Sequence, residues 1–351
     1  MPIDVHALDD AIARQHQRSP FSGVIYVQEE GEIVLAQGYG FANRSERLPN
    51  TIHTRLGIAS GAKTFTSVAV CQLVERGLVA FDTPLKDCLD IAFPHFDPAV
   101  TVHHLLTHSA GIPDYFDEAV MDDYEALWRE RPMYTIRTPG DFLPLFAGAP
   151  MQFKPGERWA YNNAGFIVLG LVVEKLTGMP FARYVEEHVF QPCGMAASGY
   201  FAMDRLPGGT ALGYIPVGDD EWRANIYSMP LVGGPDGGVY TTAPDLAGFW
   251  DALLGYRLLS RATVEKMLTP HWPAPSEGDN THYGYGLWME QAKGKARVYY
   301  MLGEDPGVAF FSGFYPTGRI QFSLMGNTVA ATWPMLKCIT PFLETLPDVE
   351  G

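Results

Sequence analysis

Hydrophobic and polar residues follow different periods in different parts of this chain. Residues 4–16 carry apolar side chains at helical spacing and predict a short amphipathic helix. Residues 23–28 and 32–39 are strand-like runs that flank Glu29-Glu30-Gly31, a pattern typical of a β-hairpin. Residues 319–325 alternate apolar with polar side chains, which is the period of a half-buried strand. Both ends of the chain are therefore predicted to contribute strands.

The middle of the chain favours helices instead. The apolar residues that precede Gly77 recur at helical spacing, and this glycine is placed to end the helix. Residues 80–230 are divided by prolines into mainly helical or irregular segments. Strand-like sequence returns at residues 297–302 and 308–315. The pattern predicts an α/β (α+β) fold in which an antiparallel sheet, flanked by helices, is built from both termini.

The predicted lobes divide the chain into three parts. Residues 1–58 and 230–351 are assigned to one discontinuous α/β sheet lobe. Residues 59–229 are assigned to an inserted, mostly helical lobe. Internal repeats, low-complexity tracts and flexible linkers do not occur in the sequence, so we expect two lobes that pack directly on each other.

Composition excludes several classes of function. The chain has 351 residues, of which 47% are hydrophobic and 19% charged, as in ordinary globular proteins. A net charge of −15 argues against nucleic acid or an anionic membrane surface as a partner. No run of residues approaches the roughly 18 apolar positions of a membrane-spanning helix. We expect a small-molecule substrate as the partner, and the oligomeric state stays open.

Cysteine placement and the first residues bear on the compartment. Cys71, Cys88, Cys193 and Cys338 are far apart and show no metal-binding spacing, so we expect free thiols in a reducing compartment, with no metal and no cofactor. Residues 1–10 have neither the positive nor the apolar region of a signal peptide. We expect a cytoplasmic location, although loss of a leader from a longer precursor would make the protein a secreted one.

Ser60 and Lys63 carry the most chemical information. At the start of an apolar helical stretch, this spacing places the serine hydroxyl and the lysine amine on one helix face. The amine is then close enough to take the hydroxyl proton and make Ser60 a nucleophile. To act as a base near pH 7, Lys63 needs a pKa about 3 units below its free value, and burial near positive charge or near a helix N-terminus can lower it. By itself S-x-x-K is a common pattern, in which Ser60 merely caps a helix and Lys63 is solvated.

A second block places two more polar groups on a turn that enters a helix. Tyr161 and Asn163 stand next to the apolar run 164–176. The Tyr161 phenol can exchange protons with Ser60, and the Asn163 amide can bind a substrate carbonyl or amide. The two blocks together favour nucleophilic catalysis over simple helix capping.

The order of these blocks resembles that of the class C β-lactamase-like serine hydrolases, which include penicillin-binding proteins, D-aminopeptidases and family VIII carboxylesterases. The likeness extends to residues 105–112, 170–178 and 234–242, and it covers most of residues 20–327. The resemblance implies a β-lactamase/transpeptidase-like fold, with the active site in the cleft between the two lobes.

Acyl transfer through a covalent ester is the chemistry that the resemblance implies. Ser60 attacks a carbonyl, Lys63 and Tyr161 share the general-base and general-acid work, and Asn163 is a substrate ligand. Which of Lys63 and Tyr161 takes the first proton stays open. Two backbone N–H groups, one of Ser60 and one near Glu304, are expected to hold the oxyanion.

The third motif of the family departs from its usual form. Relatives carry K-T-G or H-x-G on a strand beside the site, with a cation that faces the substrate carboxylate. This chain has Met301-Leu302-Gly303 followed by Glu304 and Asp305, and we take Gly303 and Glu304 as substrate-binding positions. Loss of the cation disfavours β-lactams and favours a neutral ester or amide, or a substrate with a free amine. The alternative is that both carboxylates shape a turn or pair with Arg297 or Arg319.

Other polar positions receive structural interpretations. His108 lacks the first glycine of a G-x-S-x-G elbow and is expected to be a structural histidine packed under the site. Residues 233–238 fit neither a dinucleotide loop nor a phosphate loop and are expected to allow close backbone approach near the cleft. Asp114, Asp117 and Glu118 are loop carboxylates, which we expect to be solvated rather than metal-binding.

These observations predict a serine hydrolase that forms an acyl-enzyme on Ser60 and cleaves a small ester or amide, with weak activity on β-lactams. Two alternatives stay open. One is an acyltransferase of the same fold, in which an alcohol or amine replaces water. The other is a catalytically silent binding homologue.

Overall fold

The computed structural model describes residues 2–218, 221–274 and 280–344. Its strands in chain order are β1 (Gly23–Glu29), β2 (Glu32–Tyr39), β3 (Phe41–Asn43), β4 (Leu48–Pro49), β5 (Leu56–Gly57), β6 (Tyr214–Pro216), β7 (Trp222–Ala224), β8 (Tyr240–Thr241), β9 (Trp272–Pro273), β10 (Thr281–Tyr283), β11 (Trp288–Ala292), β12 (Lys295–Asp305), β13 (Val308–Tyr315) and β14 (Ile320–Gly326). Its α-helices are α1 (Val5–Arg18), α2 (Lys63–Glu75), α3 (Leu85–Cys88), α4 (Val102–Leu106), α5 (Leu127–Glu130), α6 (Leu143–Phe146), α7 (Asn163–Thr177), α8 (Phe181–Val185), α9 (Gln191–Cys193), α10 (Ala243–Leu254), α11 (Arg261–Met267) and α12 (Thr332–Leu343).

Eight of the described strands form one antiparallel sheet in the order β2-β1-β14-β13-β12-β11-β10-β9. The N-terminal hairpin joins the C-terminal strands because β1 pairs with β14, with Gly23 opposite Gly326. The predicted fold class and the predicted hairpin are confirmed. The lobe boundaries stay a prediction, and residues 1, 219–220, 275–279 and 345–351 of those lobes lie outside the described residues.

Alternate side chains of the sheet face two different apolar layers, as the period of a strand requires. Ile25 and Val27 on β1 pack in the same cluster as residues of α1 and α12, which cover one face. Val24 and Tyr26 on the same strand pack toward the opposite face, with α2, α7 and α10. The sheet therefore separates a terminal helical layer from the helical lobe.

Two helices of the helical lobe are buried on almost every side. In α2 every residue from Lys63 to Cys71 is buried, and in α7 every residue from Asn163 to Val173 is buried. A helix that is apolar nearly all round belongs inside a protein. Polar residues in the first turn of either helix are consequently held inside the protein, where they must find partners.

The predicted helix after Ser60 is present, with one change at its start. Ser60 lies in a 3₁₀ turn, Ala59–Ala62, and α2 begins immediately after it. The helix ends just before Gly77, whose φ is 69°, a left-handed conformation that glycine adopts without strain. The serine is thus on a tight turn, and the lysine is the first residue of the buried helix.

The four cysteines are free thiols, and three of them are buried. Across the described part of the chain, no single helix has both the length and the apolar character needed to cross a bilayer. Among the described helices, one bent pair, Asn163–Thr177 with Phe181–Cys193, reaches that length and composition when taken together.

Gly170 allows the glycine-rich segment 233–238 to pack tightly on α7. A Cβ at this position would lie 2.0 Å from Cγ of Pro235 and 2.7 Å from its Cβ. Gly170→Ala is therefore expected to lower the free energy of unfolding. Overpacking costs about 1–3 kcal/mol, which exceeds the roughly 1 kcal/mol that alanine gains over glycine in helix propensity. Urea denaturation measures the difference.

Gly165→Ala is the matched control in the same helix. The atom nearest to a Cβ added there is at 3.4 Å, an ordinary contact, so this substitution should be neutral or stabilising. Equal stabilisation by both substitutions would contradict the packing explanation.

Candidate active site

Ser60 is presented to the cleft by a strained turn. Ala59, the preceding residue, has a φ of 46°, a left-handed conformation that costs energy for any residue with a side chain. One turn further along, Nζ of Lys63 lies 2.9 Å from Oγ of Ser60. The predicted proximity of hydroxyl and amine is therefore present in the structure.

Two carbonyl oxygens hold the Lys63 amine in place. The side chain is 2% exposed, and Nζ donates to Oδ1 of Asn163 at 2.8 Å and to the backbone oxygen of Asp236 at 2.7 Å. Because a carbonyl oxygen can only accept, a neutral amine would use both of its hydrogens there. Its lone pair would then be free to receive the hydroxyl proton of Ser60.

Burial lowers the pKa of Lys63, and it does so against the surrounding charge. Desolvation outweighs the attraction of nearby carboxyl groups, which favour the cation: Asp236, Glu118, Asp114 and Asp305. Burial, one of the causes that the sequence suggested, therefore lowers the pKa of Lys63. Positive charge, one of the two alternatives that the sequence left open beside burial, does not contribute, since the charged neighbours that act on this amine are negative.

Tyr161 reaches the same point from the turn that precedes α7. Its phenol is close enough to the Ser60 side chain to interact with it, and Nζ of Lys63 lies 4.9 Å from the centre of its ring. Burial raises the pKa of Tyr161 well above its ordinary value, so the phenol carries its proton at neutral pH. In this state the phenol can donate a proton.

Aromatic packing fixes the position of the Tyr161 ring. It stacks on Trp288 of β11, with ring centres 6.0 Å apart, and lies 4.4 Å from the ring of His108. His108 is 1% exposed, and its Nδ1 accepts the backbone N–H of Asn162 at 3.1 Å. The predicted structural role of this histidine is confirmed.

Strand β12 brings the third motif against the Ser60 turn. A Cβ at Gly303 would lie 2.3 Å from the oxygen of Ile58 and 2.8 Å from the nitrogen of Ser60. Only a residue without a side chain lets the strand approach this closely. Gly303 therefore determines how near the end of β12, including the backbone of Glu304, comes to Ser60.

The two carboxylates at the end of β12 point in different directions. Alternation along the strand sends Asp305 to the cleft side, with Gly303, and Glu304 to the opposite side. There the indole N–H of Trp333 on α12 donates to the Glu304 carboxylate. The alternative pairing with Arg297 is wrong, since that guanidinium binds Glu290 and Glu344.

A cavity of about 610 Å³ opens beside Ser60 and is strongly acidic. Seven acidic residues line it, Glu118, Asp122, Asp123, Glu125, Asp236, Glu304 and Asp305, although the carboxylate of Glu304 points away from the cleft to Trp333. Among the described lining residues the only cation is Arg223, whose guanidinium is bound to Glu125. Burial raises the pKa of Asp305 well above its ordinary range.

Two aspartates bind groups of the site, a role that the sequence did not predict for either of them. Asp236 supplies the carbonyl that binds Lys63, and its carboxyl group accepts a hydrogen bond from the Tyr115 hydroxyl. The carboxylate of Asp114 accepts the backbone N–H groups of Asn163 and Ala164. The expectation that Asp114 is solvated is wrong, because it serves as the helix cap of α7. Asp114 closely follows the family-like block 105–112, and Asp236 lies within the block 234–242. These positions were the signal in the sequence that could have identified the two aspartates.

The structure thus brings together four of the predicted site residues, Ser60, Lys63, Tyr161 and Asn163, and places the backbone of Gly303 and Glu304 beside them. Both ends of the Asn163 amide are bound to protein groups, so its predicted contact with substrate stays a prediction. A serine, a buried lysine and a tyrosine meet beside β12, an interior strand of this antiparallel sheet, as expected for the β-lactamase/transpeptidase-like fold.

The chain belongs to the Beta-lactamase family, whose model matches residues 8–338. The crystal structure of a penicillin-binding protein from Bacillus halodurans is similar to it, with 49% sequence identity, a TM-score of 0.89, and coverage of 94% of this chain and 99% of that one. The resemblance predicted from the sequence is confirmed.

Curated relatives carry several different names. Penicillin-binding protein 4* of Bacillus subtilis is 28% identical over 86% of this chain and 66% of its own length. Esterase EstB of Burkholderia gladioli is 34% identical over 56% of this chain and 51% of its own length. The chain spans about half to two thirds of the length of these two relatives. Proteins named D-aminopeptidases also match, so the family includes serine hydrolases of several kinds.

Tyr115→Phe is expected to destabilise the protein, and more strongly at high pH. It removes the hydroxyl that donates to the buried Asp236 carboxyl group, which costs about 1–3 kcal/mol. Burial raises the pKa of Asp236, so the folded protein keeps a proton that the unfolded chain releases, and stability falls as pH rises. Loss of the donor raises that pKa further and steepens the fall. Urea denaturation at about pH 5 and pH 8 measures both effects.

Tyr200→Phe is the control for this comparison. The Tyr200 hydroxyl is buried without a hydrogen-bond partner among the described residues, so its removal leaves no group unpaired. We expect little change at either pH. The same loss in both variants, independent of pH, would contradict the assigned role of Tyr115.

Proposed function

We propose that this protein is a serine hydrolase that forms an acyl-enzyme on Ser60 and cleaves a small ester or amide. The observation that carries the proposal is the 2.9 Å contact between Oγ of Ser60 and Nζ of Lys63, with the amine held by two carbonyl oxygens. A lysine on an ordinary wet surface would stay charged, whereas burial favours the neutral amine that a general base requires.

In the proposed first step, Lys63 takes the hydroxyl proton as Oγ of Ser60 attacks the carbonyl carbon. The carboxyl groups that favour the lysine cation then stabilise the ammonium as it forms. In this proposal the backbone N–H groups of Ser60 and Glu304 bind the oxyanion, each contributing on the order of 3 kcal/mol. The high pKa of Tyr161 suits it to pass a proton to the leaving group. Water then enters, and its attack on the ester releases the acid and restores Ser60.

The charge of the cleft supports a substrate without a carboxylate near the scissile bond. Met301, at the position where relatives carry a cation, is buried, and the lining cation Arg223 is already bound to Glu125. A desolvated substrate carboxylate would find no free positive partner among the described lining residues and would meet acidic groups instead. A neutral ester or amide avoids this cost, and a substrate amine would be attracted. Similarity to esterase EstB supports the ester as the simpler choice.

A fluorophosphonate probe tests the nucleophile directly. The intact protein should gain one probe mass on Ser60, and Ser60→Ala should gain none. Lys63→Ala should label on the order of 10² to 10⁴ times more slowly, because it loses the general base. Lys175→Ala, which removes a surface lysine paired with Asp90, is the matched control and should label at the normal rate. Absence of labelling in the intact protein would support the silent homologue.

Hydrolysis rates for three substrates test the predicted charge preference. We expect kcat/KM for a short-chain p-nitrophenyl ester, and for the anilide of a D-amino acid with a free amine, to exceed that for the anionic β-lactam nitrocefin. Asp122→Asn should narrow the difference, because it removes an exposed carboxylate from the cavity lining at nearly constant shape. Asp97→Asn, which neutralises a half-buried carboxylate absent from the cavity lining, should leave the difference unchanged. Rapid turnover of nitrocefin would refute the preference.

A further inference from the structure

The carboxylate of Asp114 lies on the N-terminus of α7. Its Oδ2 accepts the backbone N–H of Asn163 at 2.6 Å, and its Oδ1 accepts those of Ala164 at 2.9 Å and Tyr115 at 2.7 Å. The first N–H groups of a helix have no partner within the helix. Asp114 satisfies two of them, and the side chain of Asn162 satisfies that of Gly165. The start of α7 is therefore tied to the loop that carries Asp114.

The side chain of Asn163 is oriented by the groups on its two ends. Its Nδ2 lies within hydrogen-bond distance of three acceptors, the oxygen of Phe116 at 3.2 Å and the carboxylates of Asp114 and Glu118 at 3.4 Å each. Its Oδ1 receives the Lys63 amine at 2.8 Å. Because nitrogen donates and oxygen accepts, only this orientation of the amide satisfies both ends.

We propose that Asp114 is a positioning residue for acyl transfer. Through its bonds to the first turn of α7 and to the Asn163 amide, it keeps the Asn163 oxygen against Lys63 and the Lys63 amine against Ser60. Asp114 is not itself one of the residues that line the cavity, and it acts through Asn163, which is. The inference rests on the proposed function, because it requires Lys63 to be the general base.

Charge coupling between Asp114 and Lys63 gives this role a distinct signature. Burial raises the pKa of Asp114 to about 7, although the helix N–H groups and Lys63 act to lower it. The ionised Asp114 in turn favours the Lys63 cation. The other titratable groups around the pair contribute as well: Glu118, Asp236 and Asp305 act on Lys63, and Tyr115 and Tyr124 face Asp114. Removal of the Asp114 charge should therefore lower the pKa of Lys63.

Asp114→Asn tests the proposal by the pH dependence of fluorophosphonate labelling. In the intact protein the rate should rise with pH as Lys63 loses its proton. In the variant the maximal rate should fall by about 10- to 100-fold, because the amide of Asn163 loses its fixed orientation. The midpoint of the rise should also move to lower pH, by on the order of one unit. A merely structural loss would lower the rate without moving the midpoint.

Asp117→Asn is the matched control, since it removes a carboxylate of the same loop. Asp117 is bound to Gln152 and to the N–H of Ala119, away from α7. It should change neither the rate nor the midpoint. If Asp114→Asn also leaves both unchanged, the positioning role is overturned.

A measurement on the unmodified protein covers the case in which the variant does not fold, or in which Ser60 is not labelled at all. The backbone N–H groups of Asn163 and Ala164 donate to the Asp114 carboxylate. The chemical shifts of their amide protons should therefore change with pH, with a midpoint of about 7. Absence of a titration between about pH 5 and pH 9 would overturn the inference. Failure of labelling with the titration present would instead count against the proposed function and leave the contact of Asp114 with α7 supported.

Discussion

Burial of the Lys63 amine is the constraint on which the rest of the site depends. An ammonium taken out of water costs several kcal/mol unless it is paired or loses its proton. Three segments that are distant in sequence meet this demand: the turn of Ser60, the start of α7 at Asn163, and the carbonyl of Asp236. Two of the three partners are carbonyl oxygens, so they suit both the neutral and the charged amine. The reactive group is thereby held in the packed interior of the helical lobe.

Close backbone contact is what allows these segments to meet. Strand β12 reaches the Ser60 turn because Gly303 has no side chain, and the segment with Asp236 reaches α7 because Gly170 has none. Packing at these points leaves little freedom for the polar groups beside them. The same interactions that stabilise the helical lobe therefore determine the distances between nucleophile, base and proton donor.

The charge of the cleft separates this chain from the pattern of the family it belongs to. Met301 on the cleft side of β12 is buried and uncharged. The carboxyl groups around Lys63 favour the charged form of its amine. These groups oppose the effect of burial on Lys63 and at the same time favour the cation that forms during proton transfer. Nearby carboxyl groups are thus compatible with a lysine that acts as a base, provided that burial lowers the lysine pKa more than those groups raise it.

The sequence alone predicted what depends on local pattern: the N-terminal hairpin, the buried helices after Ser60 and after Asn163, the Ser60–Lys63 spacing, and the resemblance that joined them to Tyr161. It placed Ser60 in a helix instead of a 3₁₀ turn, because both conformations share the same short-range spacing. It did not predict the acidic neighbours of Lys63, and it expected a solvated Asp114, since the identity of a residue does not show which groups face it. Only the tertiary structure decided those partners, because the contacts join residues more than 40 positions apart, and such pairings arise from packing rather than from periodicity.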